Sequence, residues 1–206
     1  MITEWIAADR RDLAAVLDGL SAEQWDAPSL CDGWAVRHVV AHLTMPLRYS
    51  APGFLLRLAA AGGNFRRMSD RVARRDGELP RGQLTAALRE KAGHPWKPPG
   101  GGFQAALTHQ VIHGLDITCA LGIDRRIPDH AMVAVLDTVA EPASTRHFGV
   151  DTSSVELQAT DLAWSHGSGP QLRGPANDLA LLLTGRRVPE SALSGPGELR
   201  TGSTRR

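Results

Sequence analysis

The chain has 206 residues, enough for one good core or for one domain with a small appendage. Its 23 Lys and Arg against 22 Asp and Glu leave a formal charge of +1, which argues against a polyanion such as nucleic acid as partner. There is no apolar run of about 18 residues, and Met1-Ile-Thr-Glu4 lacks a basic-then-apolar leader pattern, so the expectation is a cytoplasmic globular protein with no membrane partner.

The elements follow in chain order. Thr3 to Leu20 reads as a helix that Thr3 can cap, with Ile6, Leu13, Val16, Leu17 and Leu20 on one face. Ser21 to Trp25 reads as one short helical turn, and residues 28–33 as a loop. A second long helix is predicted from Trp34 to about Met45, facing the core with Val36, Val39, Val40 and Leu43, its continuation perturbed by Pro46. Phe54 to Leu58, Phe65 to Arg74 and Leu84 to Ala92 read as helical pieces, with a break at Gly62-Gly63. Pro95, Pro98, Pro99 and Gly100-Gly-Gly102 make a loop of strong breakers. A third bundle helix runs from Gln104 to Leu121, and a fourth from Asp129 to Val139.

Character changes after Pro142. Val155 to Thr160 alternates as a strand should, with Leu162 to His166 as its hairpin mate or a continuation, and residues 167–170 form a turn. Pro175 to Thr184 is a short apolar helix closed by Gly185. Beyond about Ser191 the composition turns to Gly, Ser and Arg, and the last few residues are expected to fray. The predicted architecture is mainly α: a four-helix bundle over residues 1–142, followed by a small α/β unit over 143–206.

The chemistry concentrates in His109-Gln-Val-Ile-His113-Gly-Leu-Asp116. Imidazoles four residues apart share one helical face and can chelate one ion. The Trp34–Met45 helix offers a third, His42, with His38 one turn earlier as competitor. Three neutral nitrogens with an open fourth position describe a catalytic divalent-metal site, zinc above all, whereas HxxxH alone is also met by chance on helices. Asp116 reads either as the acceptor that orients a ligating imidazole or as a partner for a neighbouring helix. Cys31 and Cys119 lack CxxC spacing and predict no disulfide framework; Cys119 reads as a buried small residue, with a catalytic thiol as the minor alternative. The run Arg66, Arg67, Arg71, Arg74 and Arg75 reads as a solvated face, and Trp96 as a border of the pocket mouth.

Three separated motifs, Trp34-Ala-Val-Arg-His-Val-Val-Ala-His42-Leu43, His113-Gly-Leu-Asp116 and the C-terminal run Asp161-Leu-Ala-Trp164…Arg173-Gly-Pro175…Gly185-Arg186, resemble in their order the mycothiol-dependent maleylpyruvate isomerase family of the DinB-like superfamily. Residues 50–100 carry no matching motif. The resemblance implies a DinB-like metal-binding four-helix bundle with a small sterol-carrier-like α/β tail. It also implies that His42 and His113 are ligands and that mycothiol is the thiol cosubstrate. Where the family commonly has a glutamate four residues before His113, this chain has His109, which can ligate but leaves the ion with more positive charge. The implied activity is that of a thiol S-transferase or cis-trans isomerase acting on a small electrophile through a metal-held thiolate, in a monomer or homodimer. Arg173 and Arg186 are candidates to hold an acidic substrate, against fold-level roles for both. A metal-assisted hydrolase and a non-catalytic binding or stress protein are the alternatives.

Overall fold

The computed structural model describes residues 1–201. It divides into two compact units, Met1–Arg125 and Arg126–Arg206. The fold is mainly helical, with ten α-helices and a small mixed sheet among the described residues.

The first unit holds α1 (Ile2–Asp18), α2 (Ala22–Asp26), α3 (Val36–Arg48), α4 (Ala51–Ala60), α5 (Phe65–Asp76), α6 (Arg81–Glu90) and α7 (Phe103–Thr118). Leu13 and Leu17 of α1, Val36, Val39 and Val40 of α3, Leu84 and Leu88 of α6 and Ile117 of α7 form one buried cluster, with Trp25 of α2 beneath it. The four walls of the bundle are therefore α1, α3, α6 and α7. Asp129–Ala140, expected as the fourth bundle helix, falls in the second unit. Helical periodicity shows that a face is apolar but not what the face meets.

Two local departures follow from capping chemistry. Thr3 lies inside α1, whose first turn closes on the Met1 carbonyl at 2.9 Å from the Glu4 N–H. Pro46 lies inside α3 instead of ending it. A proline has no N–H for the carbonyl four residues back, here that of His42. The turn is held from the side: Arg48 donates from Nε to Thr44 Oγ1 at 3.1 Å and from Nη2 to the Ala41 carbonyl at 3.1 Å, and it ion-pairs with Asp76 of α5 at 2.7 Å.

A clamp joins α1 to the end of the unit. The buried Arg125 donates to Asp9 Oδ1 at 2.7 Å and to Asp12 Oδ2 at 2.6 Å. Its guanidinium lies where a Cβ at position 114 would come within 2.8 Å, so any side chain there would push the clamp aside. Arg10 performs a similar task for the breaker loop, donating to the carbonyls of Ala92 at 2.8 Å and His94 at 2.9 Å.

The second unit holds α8 (Asp129–Ala140), α9 (Pro142–Phe148), β1 (Val150–Asp151), β2 (Glu156–Ala159), β3 (Ser165–Gly167), β4 (Gln171–Gly174), α10 (Ala176–Leu183) and β5 (Arg200–Thr201). The sheet order is β3-β2-β4, with β2 antiparallel to β3 and parallel to β4, so the expected hairpin forms and a strand not foreseen in the sequence completes it. α8 packs on α10, its Met132, Val135, Leu136 and Val139 are buried, and Trp164 Nε1 donates to Asp137 Oδ1 at 2.9 Å. Gly185 closes α10 with φ +78°, its N–H bonding the Leu182 carbonyl while Arg186 N–H bonds that of Leu181, the double closure of a left-handed helix end. Beyond Ser191, Arg200 and Thr201 pair with Asp151 and Val150; the rest of the tail expected to fray lies outside the described residues. Among the described residues no helix is long and apolar enough to cross a membrane.

Candidate metal centre

Each ligand candidate owes its place to a buried helix face. α3 buries every residue from Val39 to Met45, so His42 points inward and is 7% exposed. On α7, His109 and His113 are half-buried beside Ala106, Leu107, Gln110 and Val111. The three rings converge, with centroids 4.8 to 5.0 Å apart. One ligand nitrogen from each lies within 4.8 Å of the others, and His42 Nε2 is 3.0 Å from His109 Nε2. Two imidazole nitrogens on one tetrahedral zinc ion stand about 3.3 Å apart. The His42–His109 pair is thus spaced as two ligands of one divalent cation would be, and His113 is near enough to be the third.

Two of the rings are held from behind. Ser69 Oγ of α5 lies 2.9 Å from His42 Nδ1, and Asp116 Oδ2 lies 2.9 Å from His113 Nδ1. With Nδ1 engaged, Nε2 of each ring is the nitrogen left to ligate, and that of His42 lies beside His109 Nε2. Burial first, and the neighbouring His113 second, push the His42 pKa down to about 3 against a smaller upward pull from Asp116, so His42 is neutral and a competent ligand at physiological pH. The walls are aromatic: Trp34 lies 5.3 Å from the His42 ring and Trp96 lies 5.1 Å from that of His109. Trp34 is itself fixed by its Nε1 donating to Asp70 Oδ1 at 2.9 Å.

His38 is not part of the cluster. Its Nδ1 accepts the Ala35 N–H at 3.0 Å, capping the first turn of α3, and its ring lies against Gly77. Asp116 Oδ2 lies at hydrogen-bond distance from His113 Nδ1 and also accepts from the Cys31 thiol, so it has a partner on its own helix and one outside it. Cys119 sits at the C-terminal end of α7, where its N–H bonds the Leu115 carbonyl. The arginines of α5 are exposed, as a solvated face requires.

Ser69 and Cys31 are contributions that sequence reasoning missed. The Cys31 thiol donates to Asp116 Oδ2 at 2.9 Å and lies 3.6 Å from His113 Nδ1, so Cys31, His113 and Asp116 form a second close group sharing one imidazole with the first. The loop is tied to the same residue through its backbone, Leu30 N–H to the Asp116 carbonyl at 3.0 Å. The available signal was position, since Cys31 precedes Trp34 by one turn of loop. Ser69 left no signal, because it sits in an arginine-rich helix with no sequence relation to His42.

In the second unit Arg173 is exposed on β4, where its backbone exchanges hydrogen bonds with Ser194 at 2.8 Å. Arg186 Nη1 donates to the Thr184 carbonyl at 2.8 Å, the cationic end-cap that a helix C-terminus favours.

A mainly helical protein with an inward-facing histidine cluster shared by two bundle helices is the class that fold and site define. Residues 6–95 match the family model of the mycothiol maleylpyruvate isomerase N-terminal domain. Two solved structures share the fold, the mycothiol-dependent maleylpyruvate isomerase and a point mutant of it. Their TM-scores are 0.61 and 0.60 at 14% identity, over 97% of this chain and 94% of theirs. No curated protein sequence matches the chain significantly.

Proposed function

We propose that this protein is a metal-dependent enzyme that uses a low-molecular-weight thiol, mycothiol by kinship of its N-terminal domain, against a small electrophile. The observation that carries the reading is the convergence of three imidazole nitrogens, from His42, His109 and His113, at the wall of a chamber. These residues would hold a divalent cation, zinc by donor type. Such an ion supplies Lewis acidity that lowers the pKa of a thiol.

The chain's own residues prepare that chemistry. Ser69 and Asp116 fix the two rings whose tautomers must be correct. Trp96 packs beside His109 and, with the apolar walls, would limit the water around a bound thiol. His109 contributes a neutral donor, so the protein adds no charge at this position to offset a cation. The nucleophilic sulfur then adds to an electrophilic carbon. Displacement of a leaving group gives a thioether. Addition to a conjugated cis double bond, rotation about the resulting single bond and expulsion of the same thiol give the trans isomer.

The test is metal analysis and thiol-dependent turnover on the whole chain. The unaltered protein should carry about one equivalent of divalent metal per chain, lost in His42→Ala and His113→Ala variants whose circular dichroism remains helical. Turnover of an activated electrophile should require added thiol. Turnover unchanged when every small thiol is removed would overturn this reading in favour of a hydrolase. Less than about a tenth of an equivalent after zinc addition would end both. A role for Arg173 or Arg186 in holding an acidic substrate is a separate proposal: Arg173→Ala or Arg186→Ala should then raise KM for an acidic electrophile and not for a neutral one.

A further inference from the structure

The chamber beside the histidines has a volume of about 490 Å³, within the range of small-molecule sites. The three histidines occupy one wall. The remaining side chains include Met45, Phe54, Leu58, Phe65, Trp96 and Pro98, and among the described residues lining it the histidines are the only ionisable ones.

The distribution of apolar surface adds a second observation. α4 buries none of its residues, yet Phe54 and Leu58, four apart on one face, both line the chamber. The Phe54 and Phe65 rings lie 6.3 Å apart and tilted by 42°, so α4 and the start of α5 present a joint aromatic wall. Trp96 belongs to a different segment, the breaker loop anchored by Arg10, and also lines the space. A carboxylate placed against the apolar walls, away from the histidine edge, would lose its hydration without gaining a cation or a hydrogen-bond donor there, which is unfavourable. A flat apolar molecule meets surfaces that match it and covers half-exposed phenylalanine and leucine from water.

We propose that the electrophile admitted to this chamber is uncharged and apolar, of aromatic-ring size, and that Phe54, Leu58 and Trp96 set this preference. This rests on the thiol-transfer reading for what happens to the molecule, but not for what binds. A ligand with a second carboxylate, beyond any that a metal at the histidines could take, is thereby disfavoured.

Binding of an isosteric pair tests the inference apart from turnover. 1-Naphthamide and 1-naphthoate differ in charge and hardly in shape. Each is titrated into the zinc-loaded full chain and into the chelator-treated chain, with calorimetry and tryptophan emission as readouts. The amide should bind at least about tenfold more tightly than the carboxylate in the chelator-treated protein. Leu58→Lys, which sets a cation on an incompletely buried wall, should reverse that order, while Trp96→Phe should abolish the part of the emission change that comes from the chamber. Equal or tighter carboxylate binding by the chelator-treated unaltered chain, or no binding of the amide, would overturn the proposal. Amide binding together with no thiol-dependent turnover of any electrophile would leave the chamber's preference standing and bring down the thiol-transfer reading alone.

Discussion

Replacing Asp116 by asparagine separates a residue that orients a ligand from one that merely fills the core. Asp116 is fully buried, and its Oδ2 receives His113 Nδ1 and the Cys31 thiol, each at 2.9 Å. Asparagine keeps the shape and the backbone bond to Leu30, but it removes the charge that makes the imidazole a stronger donor and fixes its tautomer. Loss of such a partner weakens metal affinity by about 10- to 100-fold, or about 1.4 to 2.7 kcal/mol. At a zinc concentration about 100 times the unaltered protein's Kd, metal stabilisation should drop from about 2.7 kcal/mol to between about 1.4 and 0.4 kcal/mol. Competition against a chromophoric chelator gives the affinity, and urea unfolding with and without zinc gives the linkage. A zinc Kd within about twofold of the unaltered chain, in a variant that unfolds cooperatively without metal, would refute the assignment of Asp116 to His113 orientation.

Two further outcomes follow from buried charge. Folded His42 takes up a proton only near pH 3, whereas an unfolded histidine does so near 6.5, so as pH falls the unfolded chain is protonated first. Its contribution to the stability of the metal-free protein is therefore complete above the unfolded value and is lost between 6.5 and about 3. From about pH 7 to about pH 5 the loss is about 2 kcal/mol. Urea unfolding of chelator-treated His42→Gln should lack that portion; an unchanged pH slope would contradict it. Arg125→Ala strands the buried Asp9 carboxylate and should cost about 3 to 5 kcal/mol by urea unfolding, part of it regained in the double variant with Asp9→Asn. A loss below about 1 kcal/mol would show that the clamp contributes little.

The helices of the first unit were legible because each has a local cause. Apolar residues recur every three to four positions along α1, α3 and α7, and Gly and Pro clusters interrupt the chain at residues 62–63 and 95–102. The histidine pair of α7 was legible for the same reason, since i and i+4 share a face whatever the tertiary setting. The choice between His38 and His42 was not local. Both lie on α3: His38 turns back to cap its own first turn, and the packing of α7 against α3 brings His109 beside His42. The fourth wall of the bundle was equally undecidable, because the apolar stripes of α6 and α8 look alike until their partners are known.

Taken alone, the sequence determined what short-range geometry determines: helix periodicity, breakers, the α10 end at Gly185 and the two imidazoles of one turn. Tertiary structure decided whatever depends on atoms distant in the chain. It brought Ser69 behind His42 and Cys31 beside Asp116, and it enclosed an apolar chamber from α4, α5 and the proline loop, the stretch whose sequence carried no motif. The physical reason is that a side chain's direction follows from its own helix, whereas its neighbours follow from how all the helices bury their faces together.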